Sequence, residues 1–515
     1  MRIQALLTGL ALVVAVPFGS QPVTAFAVDG CAVGVRSDFN GDNRTDTVVG
    51  DPDATVDGQA GAGRLVVLYG DADGLVGEGL RDVLWQGEAE ISGVAEAGDH
   101  FAASLAMADI DCDSYTDVVV GVPGEDIGGV DTGYVQVLYG GAGGLAISDA
   151  STNYSQSSFG QVAVAGDQFG YAVDVVEDVG QGGTPAPDAY ALAIGVPGAN
   201  VGGHNDAGAV AVKAAYDGGS ETFWITQDTP GIPGGAETGD RFGAAVSCGS
   251  FSGQGTTVDC VVGTPNEDVG SKADAGAATI VQDIYFSDEL VGISLDQNAP
   301  GVPNSSESGD RYGSSIDTVR VGGTTRIAIG APGEDLGSDT NAGLVQLFSS
   351  DTEDVDPGTA LNQDTAGVGG AAEDGDEFGT AVAWIAPGLG DSRTRLAVGV
   401  PKENTTAGVD AGTVQVFPTN NLASDVSWTQ SSPGVPGGAD PGDKFGASLN
   451  TVAGAAERVL LVGVPDDVDH ASGMVNVIPF GGGTPRAWVP GSGGVPAAGA
   501  GRFGQSLGGV NGSSE

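Results

Sequence analysis

The sequence predicts an all-β protein assembled from repeated four-stranded antiparallel units, and three observations carry that prediction. Glycine supplies 90 of the 515 residues, more than double its usual share of about 7%. Interior glycine costs a helix about 1 kcal/mol relative to alanine, so long helices are disfavoured. A Gly-Asp-x-Phe/Tyr-Gly pentamer recurs along the chain, and each of its first six copies is followed by a Gly-x-Pro triplet. Each unit holds four short apolar runs separated by glycine-rich turns, as antiparallel hairpins require. Four strands per period of about 70 residues suit the blades of a β-propeller. A stacked solenoid is the competing repeat architecture, and a calcium-binding β-helix would need a nonapeptide period that the chain lacks.

Composition narrows the partners. Eighteen Lys and Arg against 68 Asp and Glu leave a net charge of -50, which repels nucleic acid and anionic membrane surfaces. Collagen would need glycine at every third position. Disorder fits poorly with 40% hydrophobic residues gathered in β-like runs.

Residues 1–27 read as a secretory signal peptide: Arg2 as the charged start, Ala5–Val16 as the apolar stretch, and Ala25-Phe26-Ala27 as the cleavage site. That apolar stretch is too short to span a bilayer core of about 30 Å. No later segment reaches the length of a membrane helix, and the chain closes on Asn511-Gly-Ser-Ser-Glu515 without an anchor. A secreted, extracellular product is expected, with residues 28–515 forming one domain. Four cysteines suit an oxidising compartment. Cys248 and Cys260 flank a Gly/Ser/Thr-rich stretch and could bridge two neighbouring strands, which leaves Cys31 and Cys112 as the other pair by elimination. Four cysteines allow three pairings, and four buried thiols are the alternative.

The pentamer stands at Gly239-Asp-Arg-Phe-Gly243, Gly309-Asp-Arg-Tyr-Gly313, Gly375-Asp-Glu-Phe-Gly379 and Gly442-Asp-Lys-Phe-Gly446. Variants are Gly98-Asp-His-Phe-Ala102, Gly166-Asp-Gln-Phe-Gly170 and a worn copy, Gly501-Arg-Phe-Gly504. The triplet prolines Pro52, Pro123, Pro197, Pro265, Pro332, Pro401 and Pro465 are spaced by 71, 74, 68, 67, 69 and 64 residues. In the unit that begins at Phe242 the expected strands are Phe242–Ser247, Val258–Gly263, Ala277–Val281 and a weaker fourth, Leu290–Leu295. The aromatic is large enough to fill the wedge between blades. The glycine after it admits a close backbone approach, the Asp closes the preceding turn through an Asx-type bond, and the proline ends the second strand.

Phe-Gly alternating with Gly-Ala-Pro-like triplets, Gly330-Ala-Pro332 being a literal case, resembles the FG-GAP repeat family, the unit of the integrin alpha-subunit N-terminal propeller. The resemblance covers residues 31–505. It implies a seven-bladed β-propeller with calcium loops and, from integrins, extracellular ligand binding and adhesion. Fold alone does not carry function. Ring closure is open on two counts. Cys31–Ser37 could serve as the first strand of the first blade, and an eighth copy begins at Arg502 without continuing. A ring-closing strand at 502–510 is expected, with a frayed tail as the alternative.

Two acidic loops have the spacing of metal ligands. Asp38, Asn40, Asp42 and Asp46 occupy positions 1, 3, 5 and 9 of the first, with the Arg44 carbonyl at position 7. Asp109, Asp111, Asp113 and Asp117 repeat this in the second, with Tyr115 at position 7. Calcium wants six to eight oxygens at 2.3–2.6 Å, which alternate residues of a curling loop can supply, and the family places its calcium hairpin here. A solvated acidic turn is the alternative. The glycine usual at position 6 is Asn43 in one loop and Ser114 in the other. The later units have lost the pattern: the fourth keeps only Asp259, and the next three carry Arg326, Arg395 and Val459 there. Two Ca2+ sites are expected.

In a four-stranded meander the 1–2 and 3–4 loops share one face and the 2–3 and 4–1 loops the other. The second face collects Glu125-Asp126, Glu267-Asp268, Glu334-Asp335 and Asp466-Asp467, together with Glu96, Glu237, Glu307, Glu373 and Asp440. It reads either as a solvated rim or as a binding face for a cationic partner or further calcium.

Signals for catalysis are sparse. His100, His204 and His470 fall in different repeats without a shared register. Gly504-Gln-Ser-Leu-Gly508 matches a nucleophile elbow, yet it copies the strand start Gly446-Ala-Ser-Leu449. The sequence therefore predicts a monomeric, calcium-binding, non-catalytic module that binds an extracellular protein or glycan, without nucleic acid or membrane anchor. An extracellular hydrolase or lyase using a propeller face is one alternative, and a structural envelope or matrix component another.

Overall fold

The computed structural model describes residues 37–509, less loop stretches at 72–73, 75–80, 89, 148–149, 178–188, 217–218, 250, 252–257, 285–289, 351–353, 388–392, 420–425, 454–457, 481–482 and 498–500. The signal peptide, Cys31 and the tail beyond 509 lie outside the described residues.

The described residues form seven four-stranded antiparallel sheets. The blades follow the sequence order of strands: Ser104–Ala108, Asp117–Val122, Tyr134–Leu138 and Thr152–Tyr154 form blade 2. The inner strands of blades 3 to 7 are Ala172–Glu177, Ala245–Gly249, Ser315–Val321, Ala381–Ile385 and Ser448–Ala453. Each inner strand packs against that of the next blade, so these strands ring the axis. The seven-bladed β-propeller expected from the repeat is the fold, and the sole helical element among the described residues is the short 3-10 turn Gln156–Phe159.

Blade 1 departs from chain order. Its strands are Thr47–Asp51, Arg64–Leu68 and Arg81–Leu84, and its inner strand is Ser506–Leu507 from the other end of the chain. Val49 pairs with Leu507 and Gly50 with Ser506. The inner-strand position that Cys31–Ser37 might have taken thus belongs to the worn eighth copy. Ser506 of the elbow-like motif sits in this strand, and its hydroxyl donates to the Ala102 carbonyl at 2.5 Å, a seam contact between blades.

The repeat residues form the blade interfaces. Phe101, Phe169, Phe242, Tyr312, Phe378, Phe445 and Phe503 are all fully buried, each removal from water being worth about 1.5–3 kcal/mol. Each lies just before its inner strand, which begins at Ala245 rather than Phe242 in blade 4. Its backbone bridges to the previous blade: Phe242 donates to Ala207 O at 3.0 Å, and Gly208 pairs with Phe242 in parallel. The two repeat glycines meet across the same interface. A Cβ on Gly263 would stand 2.1 Å from the Gly313 carbonyl oxygen, closer than any side chain permits.

Candidate metal centre and acidic face

The second acidic loop joins the inner strand of blade 2, Ser104–Ala108, to its second strand, Asp117–Val122, whereas the first leads into Thr47–Asp51 of blade 1, whose inner strand comes from the other end of the chain. In the second loop an oxygen each from Asp109, Asp111 and Asp117 lie within 4.8 Å of one another. Asp117 is buried, Asp109 half-buried and Asp111 exposed. Burial first, then the neighbouring Asp111 and Asp109, push the Asp117 carboxyl up to about 8, against the lowering N–H bonds from Gly140 and Ile110. Burial also raises Asp109 to about 6. Three carboxylates held this close repel one another unless protons or a cation neutralise them.

The first loop has the same hydrogen-bond pattern but is less gathered. Asp38, Asp42 and Asp46 do not come within that distance as a group. Asp38 Oδ1 accepts the Gly41 N–H at 2.7 Å and Oδ2 that of Asn43 at 2.8 Å. Asn40 Oδ1 accepts from Asp42 N at 2.9 Å, and Asp42 Oδ1 from Arg44 N at 2.9 Å. The Tyr115 N–H donates to Asp113 in the same way at 2.9 Å. Position 6 is left-handed in both loops, Asn43 at φ 61° and Ser114 at φ 76°; Ser114 holds this conformation with its N–H on Asp109 Oδ2 at 3.0 Å.

The ninth position does a job the spacing did not announce. Asp46 accepts N–H bonds from Phe39 at 2.8 Å and Gly70 at 2.9 Å, tying its own loop to the end of the third strand. Asp117 takes Ile110 and Gly140 in the same way at 2.8 and 2.9 Å. Asp259 of blade 4 takes Phe251 at 2.6 Å and Asp283 at 2.8 Å, although the rest of that loop's acids are gone. Blade 4 is also where Cys248 and Cys260 are disulfide-bonded across paired strands. Cys112, inside the second acidic loop, is disulfide-bonded too; its expected partner Cys31 is outside the described residues.

On the opposite face the acids do not simply form a solvated rim. Glu125, Glu334 and Asp467 are buried, while Asp126, Asp268 and Asp335 are exposed. What takes the inward carboxyls is a repeat glutamine. Gln86 Nε2 donates to Glu125 at 2.5 Å, Gln227 to Glu267 at 2.6 Å, Gln297 to Glu334 at 2.5 Å and Gln430 to Asp467 at 2.8 Å. Gln363 bonds Glu403 likewise. Blade 3 lacks this acid, and there Gln156 turns to Asp167 at 2.7 Å. The repeat Asp of each pentamer accepts the N–H three residues before it, as Asp240 does from Glu237 at 2.6 Å, which is the turn closure expected of it. Burial leads in raising Glu125, Glu267 and Glu334 to about 7, and Asp99, Asp240 and Asp310 to about 6. The glutamine signal was present in the sequence: Gln86, Gln227, Gln297, Gln363 and Gln430 each stand 13 residues before the Asp of the next pentamer.

All three histidines lie on loops of this same face. His470 Nδ1 is 2.8 Å from Asp467 Oδ1, with Asp467 buried and His470 half-buried. His100 Nδ1 is 3.0 Å from Asp53. At the residue before Asp467, Lys444 Nζ and Arg502 Nη2 meet on Asp466 at 2.8 and 2.9 Å. The three histidines had no common register in sequence; His100 meets Asp53 only through folding, whereas the aspartate of His470 stands three residues before it.

The FG-GAP repeat model matches residues 101–138. A phosphatidylinositol-glycan-specific phospholipase D of Dictyostelium discoideum is 28% identical over 167 residues, a stretch covering 31% of this chain and 16% of that relative. The chain thus spans about a sixth of the curated relative it matches. Among solved structures, an α-L-arabinofuranosidase of Fusarium graminearum superposes with a TM-score of 0.40 at 9% identity, over 73% of this chain and 92% of the other. A periplasmic gluconolactonase of Pseudomonas aeruginosa gives 0.43 at 11%, over 89% and 98%. The expectation that the chain is not an enzyme is corrected by the first of these findings, since the curated relative is a phospholipase. No helix among the described residues is long and apolar enough to cross a membrane.

Proposed function

This chain is an FG-GAP repeat propeller, and on that premise we propose that it is a secreted, calcium-stabilised hydrolase working on the face that carries the 2–3 and 4–1 loops. The observation that carries the catalytic part is the contact of His470 with buried Asp467 at 2.8 Å. A carboxylate that accepts the Nδ1 proton leaves the Nε2 lone pair outward, where it can take a proton from an attacking water. Lys444 and Arg502, two of only 18 Lys and Arg in the chain, pair with Asp466, the residue before Asp467. They suit an anionic substrate, and a phosphodiester is the favoured class because the curated relative is a phospholipase. Gln430 holds the other Asp467 oxygen and so fixes the carboxylate that orients the imidazole.

Calcium has a structural place in this reading. Asp109, Asp111 and Asp117 offer a hard, all-oxygen donor set, with Asp113 and the Tyr115 carbonyl available from the same loop, and such donors suit Ca2+. Asp38, Asn40, Asp42, Asp46 and the Arg44 carbonyl would hold the second ion. Secretion is supported by the leader-like first 27 residues and by the disulfides, which persist in oxidising compartments.

The test is turnover of a panel of phosphodiester, carboxylester and glycoside substrates by the purified chain. Phosphodiester turnover that falls at least about 100-fold in His470→Ala, the usual scale of a general base, and survives in His100→Ala supports the reading. Turnover of none of the panel, or turnover untouched by His470→Ala, overturns it.

A further inference from the structure

The two acidic loops are not independent pieces of chain. Asp38, the first ligand position of the first loop, donates its N–H to Thr116 Oγ1 at 3.1 Å, and Thr116 returns its own N–H to the Asp38 carbonyl at 2.8 Å. Thr116 is buried and stands between Tyr115 and Asp117, two ligand positions of the second loop. A second route joins the ninth positions. Gly140 donates to Asp117 Oδ1 at 2.9 Å, its neighbour Gly141 donates to the Phe39 carbonyl at 3.0 Å, and Phe39 donates to Asp46 Oδ2 at 2.8 Å. The loops also touch side to side, since a Cβ on Gly41 would lie 2.5 Å from the Tyr115 ring. All three links run from blade 1 to blade 2.

We infer that the two loops form one coupled site for two hard divalent cations, filled cooperatively across the interface between blades 1 and 2. The inference rests on the calcium reading above and goes beyond it. A cation on the second loop fixes Asp117 and the Tyr115 carbonyl. Thr116, between them, holds the Asp38 backbone, and Asp117 reaches the Asp46 carboxylate through Gly140, Gly141 and Phe39. The ordering that the first loop needs is then already in place when its own cation arrives, which is positive coupling without any large movement. Linkage makes the effect reciprocal: each cation tightens the other by the same factor. The second loop, with its three carboxyls already together, fills first. Its own N–H at Asp109 is held from blade 3 by Glu177 Oε1 at 2.5 Å, a single carboxylate contact in place of the double strap.

The test titrates Ca2+ into the whole chelator-stripped protein by calorimetry, with the melting temperature followed in parallel. Two ions binding with a Hill coefficient clearly above 1 is the expected result. In Asp117→Asn the first loop, though unaltered in its own residues, is expected to bind at least about fivefold more weakly, the lower end of measured coupling. Thr116→Val keeps the shape and removes the acceptor; it is expected to bring the Hill coefficient toward 1 with both ions still bound. Two ions at unit Hill coefficient, with the first loop indifferent to Asp117→Asn, overturn the coupling and leave the calcium reading standing. No heat and no change in melting overturn both.

Discussion

Glu334 carries two amide donors on its buried carboxyl, Gln297 Nε2 and Asn304 Nδ2, each at 2.5 Å. Burial nevertheless raises it to about 7, so the donors offset desolvation only in part. Removing one should be felt mainly when the group is charged. Gln297→Leu is expected to destabilise the protein by about 1–3 kcal/mol at pH 8, the cost of leaving a buried acceptor short of a partner, and by clearly less at pH 5. Urea unfolding at both values measures it, and an equal loss at the two would count against the account. Legibility at this scale was uneven. The pentamer Asp could be read as a turn closer because its bond is local, from a residue three positions away. The role of Gln297 could not, because its partner lies 37 residues on and glutamine alone announces no particular geometry.

Strands were legible where both faces are covered. The second strands, such as Asp259–Thr264 and Arg458–Val464, are almost wholly buried and read as continuous apolar runs. Fourth strands are outermost and mostly solvent-facing, as in Gly219–Ile225, so their apolar signal is weak. The Gly-x-Pro glycine is required for a reason local patterning shows only as a recurrence: the next blade's backbone lies against it. Gly263→Ala should push the Gly313 carbonyl away and cost about 1–3 kcal/mol, as overpacking does. Gly235, where an added methyl would meet nothing within 4 Å, should accept alanine within about 0.5 kcal/mol. Thermal unfolding of the two variants side by side compares them, and equal effects would remove the close-approach argument.

Across the whole molecule the charge acquires a direction in pH. Glu125, Glu267, Glu334 and Asp376 are raised to about 7, and Asp99, Asp240 and Asp310 to about 6, burial being the largest cause in every case. In the unfolded chain these groups titrate near about 4. Between those values the folded state binds more protons than the unfolded, so their contribution is full below about pH 4 and is lost as pH rises through 6 to 7. In chelator at constant ionic strength, the melting temperature is expected to fall from pH 5 to pH 8. A rise over that range would show that these carboxyls are not held as described. Mutual repulsion at a net charge of -50 acts in the same sense.

The sequence by itself determined the strand class, the number of units and the residues that fill and space the blade interfaces, because each depends on a short motif repeated in register. It also marked the two acidic loops, whose ligand positions are close neighbours in the chain. Only the tertiary structure decided which segment completes blade 1, where Leu507 meets Val49. It alone decided which carboxyls turn inward to glutamine, which histidine finds an aspartate, and that Asp38 is strapped to Thr116. Apart from His470 and Asp467, which stand three residues apart, those are contacts between segments separated by tens to hundreds of residues. Their geometry is set by how the blades pack around the axis and is written in no local spacing.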